Sequence, residues 1–217
     1  MLERPTPPRN AACQILRILT LLAMPVGDRS TTGINTMDHF ENIAKTLLER
    51  DGYWVFQSFK VQLSPEQKRR IDNSKWSIPR PEIDLLALNV PKSTVIAFEV
   101  KSFFDSAGVA LADLAADHAV PTGRYKLFTC KRYRDIVFEQ LHEDLLRLGM
   151  ITPAFQIRLG LIAGNGRKGD IDKLREHFIQ RQWEFWTPED VKLRVQKFSS
   201  EGYSNDPAVI TAKILQR

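Results

Sequence analysis

Hydrophobic positions first become regular at residue 40. Phe40, Ile43, Ala44, Leu47 and Leu48 share one face at helical spacing, and Gly52 follows as a stop. This spacing predicts a helix beginning near Asp38. Residues 53–63 (YWVFQSFKVQL) are rich in aromatic and β-branched side chains and predict a strand. Ser64-Pro65-Glu66-Gln67 carries helix-start chemistry, with Ser as the cap, Pro at the first helical position and Gln three residues after the cap. The polar, basic stretch up to Arg80 is broken by Pro79 and Pro81 and predicts a short helix within a loop.

Two apolar runs, Glu82–Asn89 and 94–102, flank a turn at Val90-Pro91-Lys92-Ser93 and predict a hairpin. Downstream, residues 107–118 suit a short helix and 125–129 (YKLFT) a strand. Ile136, Val137, Leu141, Leu145 and Leu148 place a long helix over 131–148, ended by Gly149. Residues 158–163 predict a strand, 170–181 a helix and 183–186 another strand. A helix then opens at Thr187 with the same cap–Pro–acid start, and a last one begins near Asp206. There is no internal repeat. Helix, hairpin, then strands alternating with helices predict an α/β fold with a central mixed β-sheet flanked by helices.

The N-terminal 36 residues break this order. Residues 11–26 are apolar, but Arg17 interrupts them and the run falls short of the ~20 residues of a spanning helix. Pro5, Pro7, Pro8, Gly27 and Gly33 surround it. We read 1–36 as a weakly ordered extension, with a short amphipathic anchor as the lesser alternative. Residues 37–200 are read as one domain and 201–217 as a C-terminal helical appendage.

The 217 residues are 43% hydrophobic and 26% charged, which excludes collagen-like and wholly disordered classes. Cys13 and Cys130 cannot form a disulfide framework or a cysteine zinc site, and they fit a reducing cytoplasm. The net charge of +5 has its surplus toward the two ends and permits polyanion binding without establishing it.

The second strand of the hairpin carries the informative chemistry. In TVIAFEVKS, Ile96, Phe98 and Val100 take one face, while Glu99 and Lys101 share the other, their Cα atoms roughly 6.5–7 Å apart. In PEIDLLAL, the same alternation puts Asp84 with Glu82 and Ile83 with Leu85. Carboxylates within apolar strands are costly unless paired, solvated or bound to metal. Two carboxylates and a lysine on neighbouring strands therefore suit a divalent-cation site for magnesium or manganese.

Asp84 followed fifteen residues later by Glu99-Val100-Lys101 resembles the PD-(D/E)xK signature of the restriction-endonuclease-like nucleases. The element order helix, strand, hairpin, EVK strand, helix, strand is similar to that family's core, and the resemblance covers residues 38–130. Pro81 stands three residues before the aspartate, displaced from the family's position, so Glu82 is either an extra ligand or a bystander. The resemblance implies that Asp84 and Glu99 ligate Mg2+ or Mn2+. It implies that Lys101 positions or helps deprotonate the attacking water, and that Glu41, on the preceding helix, completes the metal site. The implied activity is phosphodiester hydrolysis, endonucleolytic on DNA in preference to RNA. Two-strand cutting often uses two active sites, which makes a homodimer one expectation.

Each of these residues has a plainer reading. The trio could be a structural ion pair, Glu41 an ordinary first-turn helix glutamate, and Glu82 a solvated strand-end carboxylate. Lys68, Arg69, Arg70, Lys75 and Arg80, with Trp76 among them, could track a phosphate backbone or form a solvated loop. Gly164-Asn165-Gly166-Arg167-Lys168-Gly169 lacks a P-loop ending and reads as a tight strand-to-helix turn. The four histidines lack metal-motif spacing; Trp183, Phe185 and Trp186 read as core, and Cys130 as a small buried hydrophobe. The competing class is a non-catalytic nucleic-acid-binding or assembly protein that keeps the fold. Convergence of Asp84, Glu99 and Lys101 at an open site separates the two.

Overall fold

Two central strands bury side chains on both faces, so the sheet must be covered on both sides. The computed structural model describes residues 39–72, 78–200, 202 and 204–215, which belong to a unit running Met37–Arg217. The extension at 1–36 lies outside the described residues. In chain order the elements are α1 (His39–Arg50), β1 (Trp54–Lys60), α2 (Pro65–Ile71), β2 (Glu82–Asn89), β3 (Thr94–Lys101), α3 (Leu111–Ala115), α4 (Lys126–Thr129), α5 (Lys131–Arg147), β4 (Gln156–Ala163), α6 (Ile171–Gln180), β5 (Glu184–Trp186), α7 (Pro188–Ser199) and α8 (Pro207–Leu215). The sheet runs β1-β2-β3-β4-β5. β1, β2 and β3 pair antiparallel, while β3, β4 and β5 pair parallel. It is the mixed α/β sheet that the sequence pattern predicts.

One face of the sheet presents Leu86, Leu88, Val95, Ala97, Leu159 and Leu161 to Tyr133, Ile136, Val137 and Leu141 of α5 and to Leu174 and Phe178 of α6. The other presents Leu85, Ala87, Ile96, Phe98, Val100 and Ile162 to Phe40, Ala44, Leu47 and Leu48 of α1, with Val191 and Phe198 of α7. Each fully buried Val, Leu, Ile or Phe side chain among them contributes about 1.5–3 kcal/mol of transfer free energy. Gly160 is what lets Phe98 lie across β4, because a Cβ there would stand 2.5 Å from the Phe98 ring.

The two Pro-led helices begin as their sequences dictate. Ser64 accepts from the Gln67 backbone N–H at 3.1 Å, and the Gln67 side chain accepts from Ser64 N–H at 2.8 Å. Thr187 and Asp190 repeat this exchange at α7. Gly52, at φ +87, closes α1, while Tyr53 N–H donates to the Leu48 carbonyl at 3.1 Å.

The structure corrects the strand expected at residues 125–129. Phe128 N–H and Thr129 N–H both donate to the Tyr125 carbonyl, at 2.8 and 3.0 Å, and form the helical turn α4. Leu127, Phe128 and Thr129 are buried consecutively, so the period of two that a half-buried strand requires is missing. The helix expected over 107–118 is shorter, at α3. Residues beyond 200 add to the second core: Val209 and Ala212 of α8 are buried among the α1 and α7 side chains, and Thr46 Oγ1 donates to Asp206 at 3.3 Å.

Candidate functional site

The site forms where β2 and β3 part. Their pairing runs from Asn89↔Thr94 to Leu85↔Phe98 and stops, while β3 stays paired to β4 as far as Lys101↔Ala163. The end of β3 thus has backbone groups without a β2 partner. Asp84 supplies one, its Oδ2 accepting the Val100 N–H at 2.8 Å. On β1 the corresponding residue, Ser58, takes φ +51, and the ladder passes from Gln57↔Leu85 to Phe59↔Ile83. Faces exchange at this level. Leu85 joins the α1 core, whereas Ile83 joins the α5 core. Plain alternation puts Ile83 and Leu85 together; the kink at Ser58, opposite Asp84 in the ladder, separates them.

Glu99 and Lys101 share a face, following Val95 and Ala97 on the side covered by α5. Lys101 Nζ stands 2.6 Å from Glu99 Oε1 and 3.3 Å from Asp84 Oδ2, so one ammonium bridges both carboxylates. The side chains are 15% (Glu99) and 21% (Asp84 and Lys101) exposed, enough to be reached from solvent. Burial pushes the Glu99 carboxyl above its ordinary value, and the Asp84 charge adds to this against the opposing lysines. For Lys101, burial pulls downward, but Glu99 and Asp84 outweigh it and hold the ammonium above its usual value. The amine is thus a fixed cation, flanked by two oxygen donors that it keeps from repelling each other.

Sequence reasoning missed the neighbours contributed by α4 and α5. Lys126 exerts its charge on Glu99, and its Nζ lies 5.3 Å from the Tyr133 ring centroid. Tyr125 is only 5% exposed, and burial pushes its phenol up to about 12, with Lys101, Asp113 and Glu99 acting on it in turn. Its hydroxyl has no hydrogen-bond partner among the described residues. The strand reading of 125–129 concealed these residues, because a helical turn directs Tyr125 and Lys126 differently from a pleat.

The other expected residues are dispersed. Glu41 stands in the first turn of α1, the helix that covers the opposite sheet face. Glu82 is exposed and pairs with Lys60 at 3.7 Å across β1 and β2, apart from the trio. Among the described residues no group of three His, Cys, Asp or Glu side chains is arranged to hold a metal ion. Lys68, Arg69 and Arg70 lie on α2, and Arg80 is exposed before β2; Lys75 lies outside the described residues. Arg70 meets Lys131, Arg132 and His118 around a cleft of about 610 Å3 that also holds Asp117 and Asp135. Residues 164–169 make the tight turn expected of them, with Gly166 bridged to Val109. Cys130 is buried and free. No family model, no curated protein and no solved structure matches this chain.

Proposed function

We propose that the chain is a metal-dependent nuclease of the restriction-endonuclease-like, PD-(D/E)xK kind, hydrolysing phosphodiester bonds endonucleolytically in DNA. One observation carries this reading: Asp84, Glu99 and Lys101 meet at a solvent-reachable strand end, with the lysine bridging both acids. The antiparallel hairpin followed by a parallel strand, covered by helices on both faces, supports it further.

The donor set fits a hard divalent cation. Magnesium commonly takes one or two carboxylates and keeps its remaining positions for water, so Asp84 and Glu99 would hold Mg2+ or Mn2+ without requiring Glu41. Such an ion, when bound, supplies Lewis acidity toward the phosphodiester and acidifies water. Asp84 is held in place by the Val100 N–H and does not depend on the ion for its position. Lys101 orients the attacking water and places positive charge where the phosphate gathers negative charge. The exposed arginines of α2 and α5 would attract the DNA backbone. A reducing, cytoplasmic setting fits the free Cys130, and a second copy would provide the second active site for two-strand cutting. Among the described residues no helix is long and apolar enough to cross a membrane.

The same bridge also suits a second reading, a non-catalytic nucleic-acid-binding or assembly protein in which Lys101 stays tied to Glu99 and Asp84 as a structural ion pair. Purified protein incubated with supercoiled plasmid and with single-stranded DNA in magnesium separates the two. Cleavage lost on Asp84→Ala and on Lys101→Ala supports the nuclease. Two variants that cut like the wild type would dismiss it.

A further inference from the structure

Beyond β3 the chain turns through Ser102 and Phe103 into one wall of a cleft of about 760 Å3, within the ~300–1,000 Å3 range of small-molecule sites. Phe103, Asp113, His118, Arg124 and Tyr125 contribute to its lining. Phe103 takes φ +49, a left-handed conformation that bulky residues rarely adopt and that costs about 1–3 kcal/mol. The surroundings impose it. Asn165 Nδ2 donates to the Phe103 carbonyl at 3.2 Å and to the Ser106 carbonyl at 2.9 Å. Gly108 lies so close to Gly166 that a Cβ would meet its backbone at 2.7 Å. Arg124 Cζ stands 5.5 Å from the Phe103 ring centroid. A strained aromatic two residues past Lys101 thereby carries the Arg124 guanidinium over its ring, and Tyr125 belongs to both the cleft wall and the surroundings of Lys101.

Resting on the nuclease reading, we infer that this cleft receives an unpaired nucleotide of the DNA strand whose phosphate lies at Lys101, its base stacking on the exposed Arg124 guanidinium that lies over and is backed by the Phe103 ring. Asp113 and His118 line the space left for the polar edge of that base. A base within a duplex cannot enter such a cleft without leaving its stack, so the preferred substrate is single-stranded or locally unpaired DNA.

Fluorescence anisotropy with labelled oligothymidine, alone and annealed to oligodeoxyadenosine, tests this in EDTA, where binding is read without cleavage. The wild type binds the single strand more tightly than the duplex. Phe103→Ala weakens single-strand binding about 10-fold and duplex binding by less than about 2-fold, and Phe103→Trp restores it. Arg124→Ala, at an exposed position, weakens single-strand binding several-fold with an unchanged melting temperature, which guards against misfolding of the Phe103 variants. Undiminished single-strand affinity in both alanine variants, a wild-type preference for duplex, or no binding to either DNA overturns the inference. If Phe103-dependent binding is present but magnesium brings no cleavage, the nuclease reading fails and the subsite stands. If the wild type cuts while both alanine variants bind single strands unchanged, the subsite fails and the nuclease stands.

Discussion

Asp84 of β2 accepts the backbone N–H of Val100 in β3 at 2.8 Å, at the level where the two strands cease to pair. A side chain thus stands in for a ladder partner, and the same carboxylate oxygen lies 3.3 Å from the Lys101 amine. Structural and chemical roles meet on one oxygen, and two substitutions separate them. Asp84→Asn keeps an acceptor for Val100 but removes the charge; Asp84→Ala removes both. Both variants should lose plasmid nicking in magnesium by at least ~10²-fold. In urea titrations Asp84→Asn should stay near wild-type stability, while Asp84→Ala loses about 1–3 kcal/mol for the unsatisfied N–H. Equal stability of the two would remove the Val100 bond from the account.

Lys101 and a metal ion would compete for the same two carboxylates, which makes their linkage measurable. Lys101→Met keeps the aliphatic stem but leaves Glu99 and Asp84 facing each other without their bridging ammonium, so it should be destabilised without magnesium. Adding magnesium should raise its melting temperature more than that of the wild type, because no ammonium must be displaced. At ten times the dissociation constant the gain is about 1.4 kcal/mol, or roughly 3–6 °C for a domain of this size. A melting temperature insensitive to magnesium in Lys101→Met argues that the acids hold no ion.

Much of the site was legible because strand parity is a local property: Glu99 and Lys101 share a face as TVIAFEVKS implies. The capping boxes at Ser64 and Thr187 were equally local. Asp84 was a candidate from spacing, but its true position depends on Ser58 taking a left-handed conformation on the adjoining strand. That tertiary effect lies outside the reach of alternation. Tyr125 and Lys126 were hidden for a related reason. YKLFT has the composition of a strand, yet its burial against α5 and α6 selects a helical turn. The cleft wall at Phe103 arises from contacts with Asn165 and Gly166, about sixty residues along the chain, and no short motif announces them.

Asp144 is a buried acid that serves the scaffold. Only 2% exposed, it accepts from Gln62 N–H at 2.9 Å, from Gln140 Nε2 at 3.0 Å and from Arg147 Nη2 at 3.0 Å. It ties the segment between β1 and α2 to α5, and so fixes where the basic face of α2 stands. Asp144→Ala should cost about 1–3 kcal/mol, less than a fully buried ion pair because Arg147 is largely solvated. Amide exchange should quicken at Gln62 and through α2 while the β2–β3 hairpin stays protected. Uniform acceleration across the sheet would show that Asp144 supports the whole core instead.

The α7 cap gives a pH signature independent of the candidate site. Burial alone would raise the Asp190 carboxyl. The Thr187 hydroxyl, donating at 2.7 Å, and the Thr187 N–H, donating at 2.9 Å, outweigh it with help from Arg175 and hold the carboxyl below its usual value. A carboxylate with a depressed folded-state pKa stabilises the protein above its unfolded value of about 3.9, and that contribution disappears as pH falls through the folded value. Asp190→Asn should therefore cost about 0.5–2 kcal/mol at pH 7, with the difference from wild type closing between roughly pH 5 and pH 2. Urea denaturation of the pair across that range is the measurement. A difference constant with pH would mean that Thr187 gains nothing from the charge of its partner, and that the cap acts through hydrogen-bond geometry alone.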